Sequence, residues 1–255
     1  MNSRNAVSAT IYSVAVMLIL SGCASVRPDI NPLLDQKAAV LSRQAKSFNQ
    51  HILASKGTGW ARLETKTRTD KYKIAWAAVF PNKIRITFLL SGLPVETIVA
   101  NGKKIIFVSH TREHAKHSYT AKDPDMEDYI RVPVKLSEMI SLLLGRLPVK
   151  KFEEAYFSTS DPSLSTIILK QDWKGRKQTL HFNGKGKVNA LKSITAAGKM
   201  VYEVTLLKYS AYAFGEIPTQ IEIKDLENNR LIIDIKNFVP NPPIKESVFQ
   251  LTESG

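Results

Sequence analysis

The stretch Lys71-Tyr72-Lys73-Ile74-Ala75-Trp76-Ala77-Ala78-Val79-Phe80-Pro81-Asn82-Lys83-Ile84-Arg85-Ile86-Thr87-Phe88-Leu89-Leu90 decides the fold class. Tyr72, Ile74, Trp76, Ala78 and Phe80 fall on every second residue, and Lys71 and Lys73 begin the other face. Beyond Pro81-Asn82, Ile84, Ile86, Phe88 and Leu90 resume the alternation. A period of two sends neighbouring side chains to opposite sides of an extended chain, so these are two half-buried antiparallel strands.

The same pattern continues outward. Val95 to Ala100 and Lys104 to Ser109 form two more strands, joined by Asn101-Gly102, the residues a tight hairpin turn demands. Six further strands are expected at 164–170, 178–182, 188–195, 201–208, 217–224 and 231–238, separated by turn residues such as Asn183-Gly184, Ala197-Gly198 and Asn228-Asn229. Two helices interrupt them. Leu33, Leu34, Ala38, Leu41, Ala45, Phe48 and Ile52 recur at helical spacing after Pro32, and this helix is expected to stop at Gly57. A polar run from His110 to Asp128 precedes the second, where Leu136, Met139, Ile140, Leu143 and Leu144 form an apolar stripe closed by Gly145 and Pro148, with Ser137, Glu138 and Ser141 opposite. Ten or eleven strands with one apolar face must bury it against something. The expected fold is α+β and mainly β: an open, strongly curved antiparallel sheet, an unclosed barrel, wrapping helices.

Composition narrows the partners. The formal net charge is +13, and removal of residues 1–22 takes away Arg4 and no acid, leaving +12. The basic residues are dispersed along the strands, as a solvated sheet surface or attraction to anionic headgroups would have them, and nucleic acid is not expected as a partner. Cys23 is the only cysteine, so the fold rests on its apolar core and not on disulfides.

Chemical motifs are few. His110-Thr111-Arg112-Glu113-His114 matches an inverted zinc-peptidase string, which makes His110, Glu113 and His114 the candidate metal site and a zinc hydrolase the competing enzymatic reading. That string needs a helix, and here it directly follows a strand. The spacing of Asp123, Asp125 and Glu127 begins like a calcium loop but has Asp128 where glycine is needed and Val134 where a carboxylate is needed. No catalytic residues and no cofactor are therefore assigned. Leu93, between Gly92 and Pro94 at a strand connection, either folds back onto the core or stands out as an apolar finger. Trp76, Ile86, Phe88, Leu136, Met139 and Leu143 lie on the apolar sides of their segments and line either a cavity or a dry core.

At the N-terminus Arg4 supplies a positive region and Val14 to Leu20 an apolar one too short to cross a bilayer. Leu20-Ser21-Gly22-Cys23 resembles the lipobox of bacterial lipoproteins. That resemblance implies a signal peptide over 1–22, lipidation of Cys23, a tether over 23–31 and one domain over 32–255. Ala24, where an Asp would argue for inner-membrane retention, implies the periplasmic face of the outer membrane.

Residues 72 to 148 resemble the outer-membrane lipoprotein receptor (LolB-like) family within the LolA/LolB-like superfamily. The likeness is carried by the two strands, the Leu90-Ser91-Gly92-Leu93 loop, the Ala100-Asn101-Gly102 hairpin, and Val132-Pro133-Val134 leading to a helix that ends Leu144-Gly145-Arg146-Leu147-Pro148. The resemblance implies a non-enzymatic protein with a cavity for acyl chains and with Leu93 helping delivery. Its partners would be acylated lipoproteins or lipids, the outer membrane and a soluble periplasmic LolA-like carrier. Two departures stand: Phe80 occupies the place of the carrier's arginine before Pro81, and Pro240 to Gly255 looks more like the carrier's tail.

Overall fold

Among the described residues thirteen strands form one antiparallel sheet whose middle is built from the two ends of the domain. The computed structural model describes residues 31–111, 116–171 and 175–251. Helix α1 (Pro32–Ser47) leads into β1 (Ala54–Glu64), β2 (Thr69–Val79), β3 (Lys83–Leu90), β4 (Leu93–Asn101), β5 (Lys104–Ser109) and β6 (Lys116–Thr120). A connection holding α2 (Glu127–Ile130) and α3 (Leu136–Leu143) then carries the chain to the far edge of the sheet. From there β7 (Glu154–Phe157), β8 (Thr166–Lys170), β9 (Lys177–Phe182), β10 (Val188–Ile194), β11 (Met200–Tyr212), β12 (Gly215–Asp225) and β13 (Arg230–Pro240) return to the middle, followed by a 3-10 turn (Glu246–Phe249). The strand order is β6-β5-β4-β3-β2-β1-β13-β12-β11-β10-β9-β8-β7. The first strand is therefore clamped on both sides: Glu64 faces Thr69 of β2 and Arg230 of β13.

The expected open, curved antiparallel sheet is the observed one, with more strands. β1, β6 and β7 were not expected, and each escapes the alternation rule for its own reason. In β1 the expected helix stop, Gly57, lies inside a strand opposite Trp76. A Cβ there would fall 2.1 Å from Trp76 Cζ2, so the glycine makes room for the indole. The helix instead ends at Ser47, and Phe48 and Ile52 keep helical spacing only by coincidence. Asn49 turns the chain with a positive φ, and its Nδ2 donates to the carbonyls of Gly145 at 2.8 Å and Glu216 at 3.0 Å. β6 is polar and exposed throughout, and β7 is only four residues long. Both are edges, where a lysine-bearing strand and a short one discourage pairing with another chain.

One face of the sheet carries the core. Ile74, Trp76 and Ala78 of β2 join Ile84, Ile86 and Phe88 of β3 in a buried cluster that continues through β8, β12 and β13 to Ile167, Ile221 and Ile233. The face ends before Phe80 and Leu90, which are exposed. Helix α3 is apolar enough to lie inside this cluster, and all its residues but Ser137 are buried. The expected polar side of α3 is thus not a solvent side: Glu138 and Ser141 are buried too. Asp123 caps the helix start, accepting from Ser137 N and Oγ at 2.9 Å each. At its end Gly145 takes φ 76°, the Arg146 N–H reaches the Ser141 carbonyl and the Gly145 N–H the Leu142 carbonyl, a Schellman closure.

Candidate functional site

The six residues expected to line a cavity are all buried. Trp76, Ile86, Phe88, Leu136, Met139 and Leu143 are each 1–4% exposed and belong to the same cluster. Trp76 pairs across the strands with Ile86. Its indole Nε1 donates to Ser55 Oγ at 3.1 Å, and that hydroxyl donates to the Leu143 carbonyl at 2.8 Å. One serine therefore ties β1, β2 and α3 together. Ser55 was not singled out from sequence; a serine beside a run of small residues carries no pattern that would reveal it.

Two cavities are lined by other residues. One of about 450 Å³ is bordered by Asp125, Lys135, Glu138, Lys150, Gln171 and Tyr202. Another, of about 270 Å³, is bordered by Lys46, Phe80, Ser141, Arg146 and Lys150. Glu138 stands between them. Its Oε1 lies 2.8 Å from Lys150 Nζ, an ion pair without the alignment of a hydrogen bond, and its Oε2 accepts from Lys135 N at 2.9 Å. Tyr202 has no hydrogen-bond partner for its hydroxyl among the described residues. Burial first, and the Glu138 charge second, push its phenol well above the ordinary tyrosine value.

Leu93 does not fold back onto the core and stands exposed. Ser91 and Gly92 form a two-residue turn with φ of 51° and 85°, the backbone that matches the twist of a hairpin. Leu90 and Leu93 pair at its base, 54% and 70% exposed. Among the motif residues, His110 Nε2 lies 2.9 Å from Thr97 Oγ1, whereas Glu113 and His114 lie outside the described residues, as does Cys23 with the expected signal peptide and most of the tether. Among the described residues no group of three or more His, Cys, Asp or Glu is placed to hold a metal. Asp125 Oδ1 accepts the Glu127 N–H at 3.0 Å and serves the start of α2.

No family model and no curated protein matches the chain in sequence. Solved structures do match in shape. A DUF1329 family protein from Desulfovibrio piger superposes with a TM-score of 0.61 at 8% identity, over 85% of this chain and 97% of its own. A LolA superfamily protein from Nitrosomonas europaea gives 0.54 at 9% identity, over 84% of this chain and 97% of its own. The chain thus has a LolA-like fold, an open antiparallel barrel with helices. At these identities the likeness is one of fold, shared by both proteins.

Proposed function

We propose that this protein is an outer-membrane lipoprotein, anchored through Cys23 on the periplasmic face, that takes up acyl chains of lipoproteins between α3 and the sheet and helps insert them into the membrane. The observation that carries the reading is the apolar helix laid on the inner face of an open sheet, with both sheet edges left unpaired among the described residues. The six residues are buried in one apolar cluster, so in this reading an entering acyl chain parts α3 from β2 and β3. An acyl chain offsets that separation. Each methylene buried contributes about 0.8 kcal/mol, so roughly ten of them match the loss of two or three core side chains at about 2–5 kcal/mol each. The protein acts in this reading by differential burial, with no bond made or broken.

Two measurements test it. A fluorescent acyl probe added to the purified protein should bind saturably and be displaced by fatty acid, and failure to bind rejects uptake. Mass spectrometry of lipid that co-purifies separates acylated lipoprotein from the competing reading, carriage of another lipid in the same place. Location is tested apart from binding: Cys23→Ser should leave the outer-membrane fraction, and unchanged fractionation rejects the anchor.

A further inference from the structure

Arg146 is an arginine whose surroundings are incomplete. It follows the left-handed Gly145, is 6% exposed, and rests with Cζ 4.5 Å from the centre of the Phe80 ring. Its Nε and Nη2 have no hydrogen-bond partner among the described residues. These two nitrogens share one edge of the planar guanidinium, where parallel N–H bonds match two oxygens of a single oxyanion. Buried charges are ordinarily paired, and an arginine cannot escape by losing its proton. Stacking on Phe80 occupies a face of the group and leaves that edge unmet.

The surroundings favour an anion. Arg146 lines the cavity of about 270 Å³ together with Lys46, Glu138 and Lys150, the other charged groups that face it. Glu138 is engaged by Lys150 and by the Lys135 backbone, which leaves Lys46 and Arg146 as uncommitted positive charges. Exposed Gln50, Phe80 and Pro81 border the same cavity, so it can be reached from solvent.

We propose that this cavity binds a phosphate group, held bidentately by Arg146 Nε and Nη2 with Lys46 supplying the second positive charge. Two uncommitted cations favour phosphate over a singly charged carboxylate. The group can be inorganic phosphate or the headgroup of a phospholipid. This site is bordered by Glu138 and Ser141 of α3 and by Phe80 and Pro81 between β2 and β3, and phosphate binding there requires no acyl-chain uptake.

The test titrates the purified full-length protein, in nonionic detergent, with sodium phosphate against sodium chloride at matched ionic strength, following heat released and thermal midpoint. Phosphate should bind and raise the midpoint where chloride does not. Arg146→Lys, which keeps the charge but loses the two-pronged edge, should bind phosphate roughly ten- to a hundredfold more weakly. Arg146→Met should lose the phosphate response without a lower midpoint in its absence. Should that variant fail to fold, Lys46→Gln and the wild-type titration still decide, with a several-fold weakening expected of Lys46→Gln. No phosphate effect beyond chloride, equal affinity in Arg146→Lys, or acetate binding as tightly as phosphate overturns the proposal. Dioctanoyl phosphatidylglycerol distinguishes the sources: Arg146-dependent binding tighter than inorganic phosphate assigns a headgroup site, and equal affinity assigns a free-phosphate site. A failed acyl-probe experiment would leave the phosphate titration standing, since no acyl chain enters it.

Discussion

Leu93 and Tyr202 are each set by their surroundings and not by their type. Leu93 stands at a hairpin tip, so Leu93→Glu should change stability by less than about 0.5 kcal/mol in a urea titration. If the tip enters lipid during delivery, the same variant should bind acyl probe normally and transfer bound lipoprotein into liposomes far more slowly. Normal transfer by a stable variant removes the finger from the mechanism. Tyr202 and Tyr209 make the opposite case, polar tips drawn into the fold. Burial pushes Tyr209 up to about 12, with the Glu216 charge adding to it, and Tyr202 is raised as well. The folded state then holds both phenol protons more tightly than the unfolded chain does. Below the ordinary tyrosine value, about 10, both states are protonated and stability is level. Above it the unfolded chain loses protons first, and stability should fall by about 1.4 kcal/mol per pH unit for each tyrosine. Tyr202→Phe should make that slope shallower in denaturant titrations between pH 10 and pH 11, although Tyr72, Tyr119 and Tyr129, raised by burial as well, keep part of it; an unchanged slope would refute the assignment.

At the scale of elements, the tail after β13 has a definite job. Its 3-10 turn packs on β3 and β4, with Phe249 2% exposed, Lys83 Nζ 2.6 Å from Glu246 Oε1, and Arg85 Nη1 donating to the Val248 carbonyl at 3.4 Å. It covers the outward side of the sheet, where Ala77 and Val99 are buried although they point away from the main core. The ion pair is largely exposed on its glutamate side and contributes at most about 1 kcal/mol. The phenyl ring contributes more, and Phe249→Ala should cost roughly 3–5 kcal/mol by chemical unfolding. A loss below about 1 kcal/mol would mean the tail is dispensable. Elements were legible from sequence where burial has one regular side, as in β2, β3 and the stripe of α3. They were hidden where a glycine serves a neighbour's ring, as at Gly57, or where an edge strand is polar on both faces, as in β6. The unmet edge of Arg146 had no sequence signature, because an arginine after a helix-ending glycine is ordinarily read as a surface residue.

The whole molecule is organised by the pairing of β1 with β13, which joins Ser55 to Pro240 and Glu64 to Arg230 across nearly the full length of the domain. Contacts so distant in the chain are slow to form, since loop closure comes before the reward of pairing. They also make the last strand central. A chain ending at Asn229 should lack cooperative unfolding altogether, as seen by near-ultraviolet circular dichroism and thermal melting, because its loss strips both β1 and β12 of a partner. A cooperative melt in that truncation would show that the two halves of the sheet fold independently. By itself the amino-acid sequence determined the fold class, most strands and the apolar membership of the core, since alternation and helical spacing are local consequences of which face meets water. Only the tertiary structure decided that the six apolar residues share one buried cluster, that Leu93 stands in solvent and that Arg146 is buried with an edge unmet. Each of these depends on side chains brought together from distant segments, and no local period records which groups will meet.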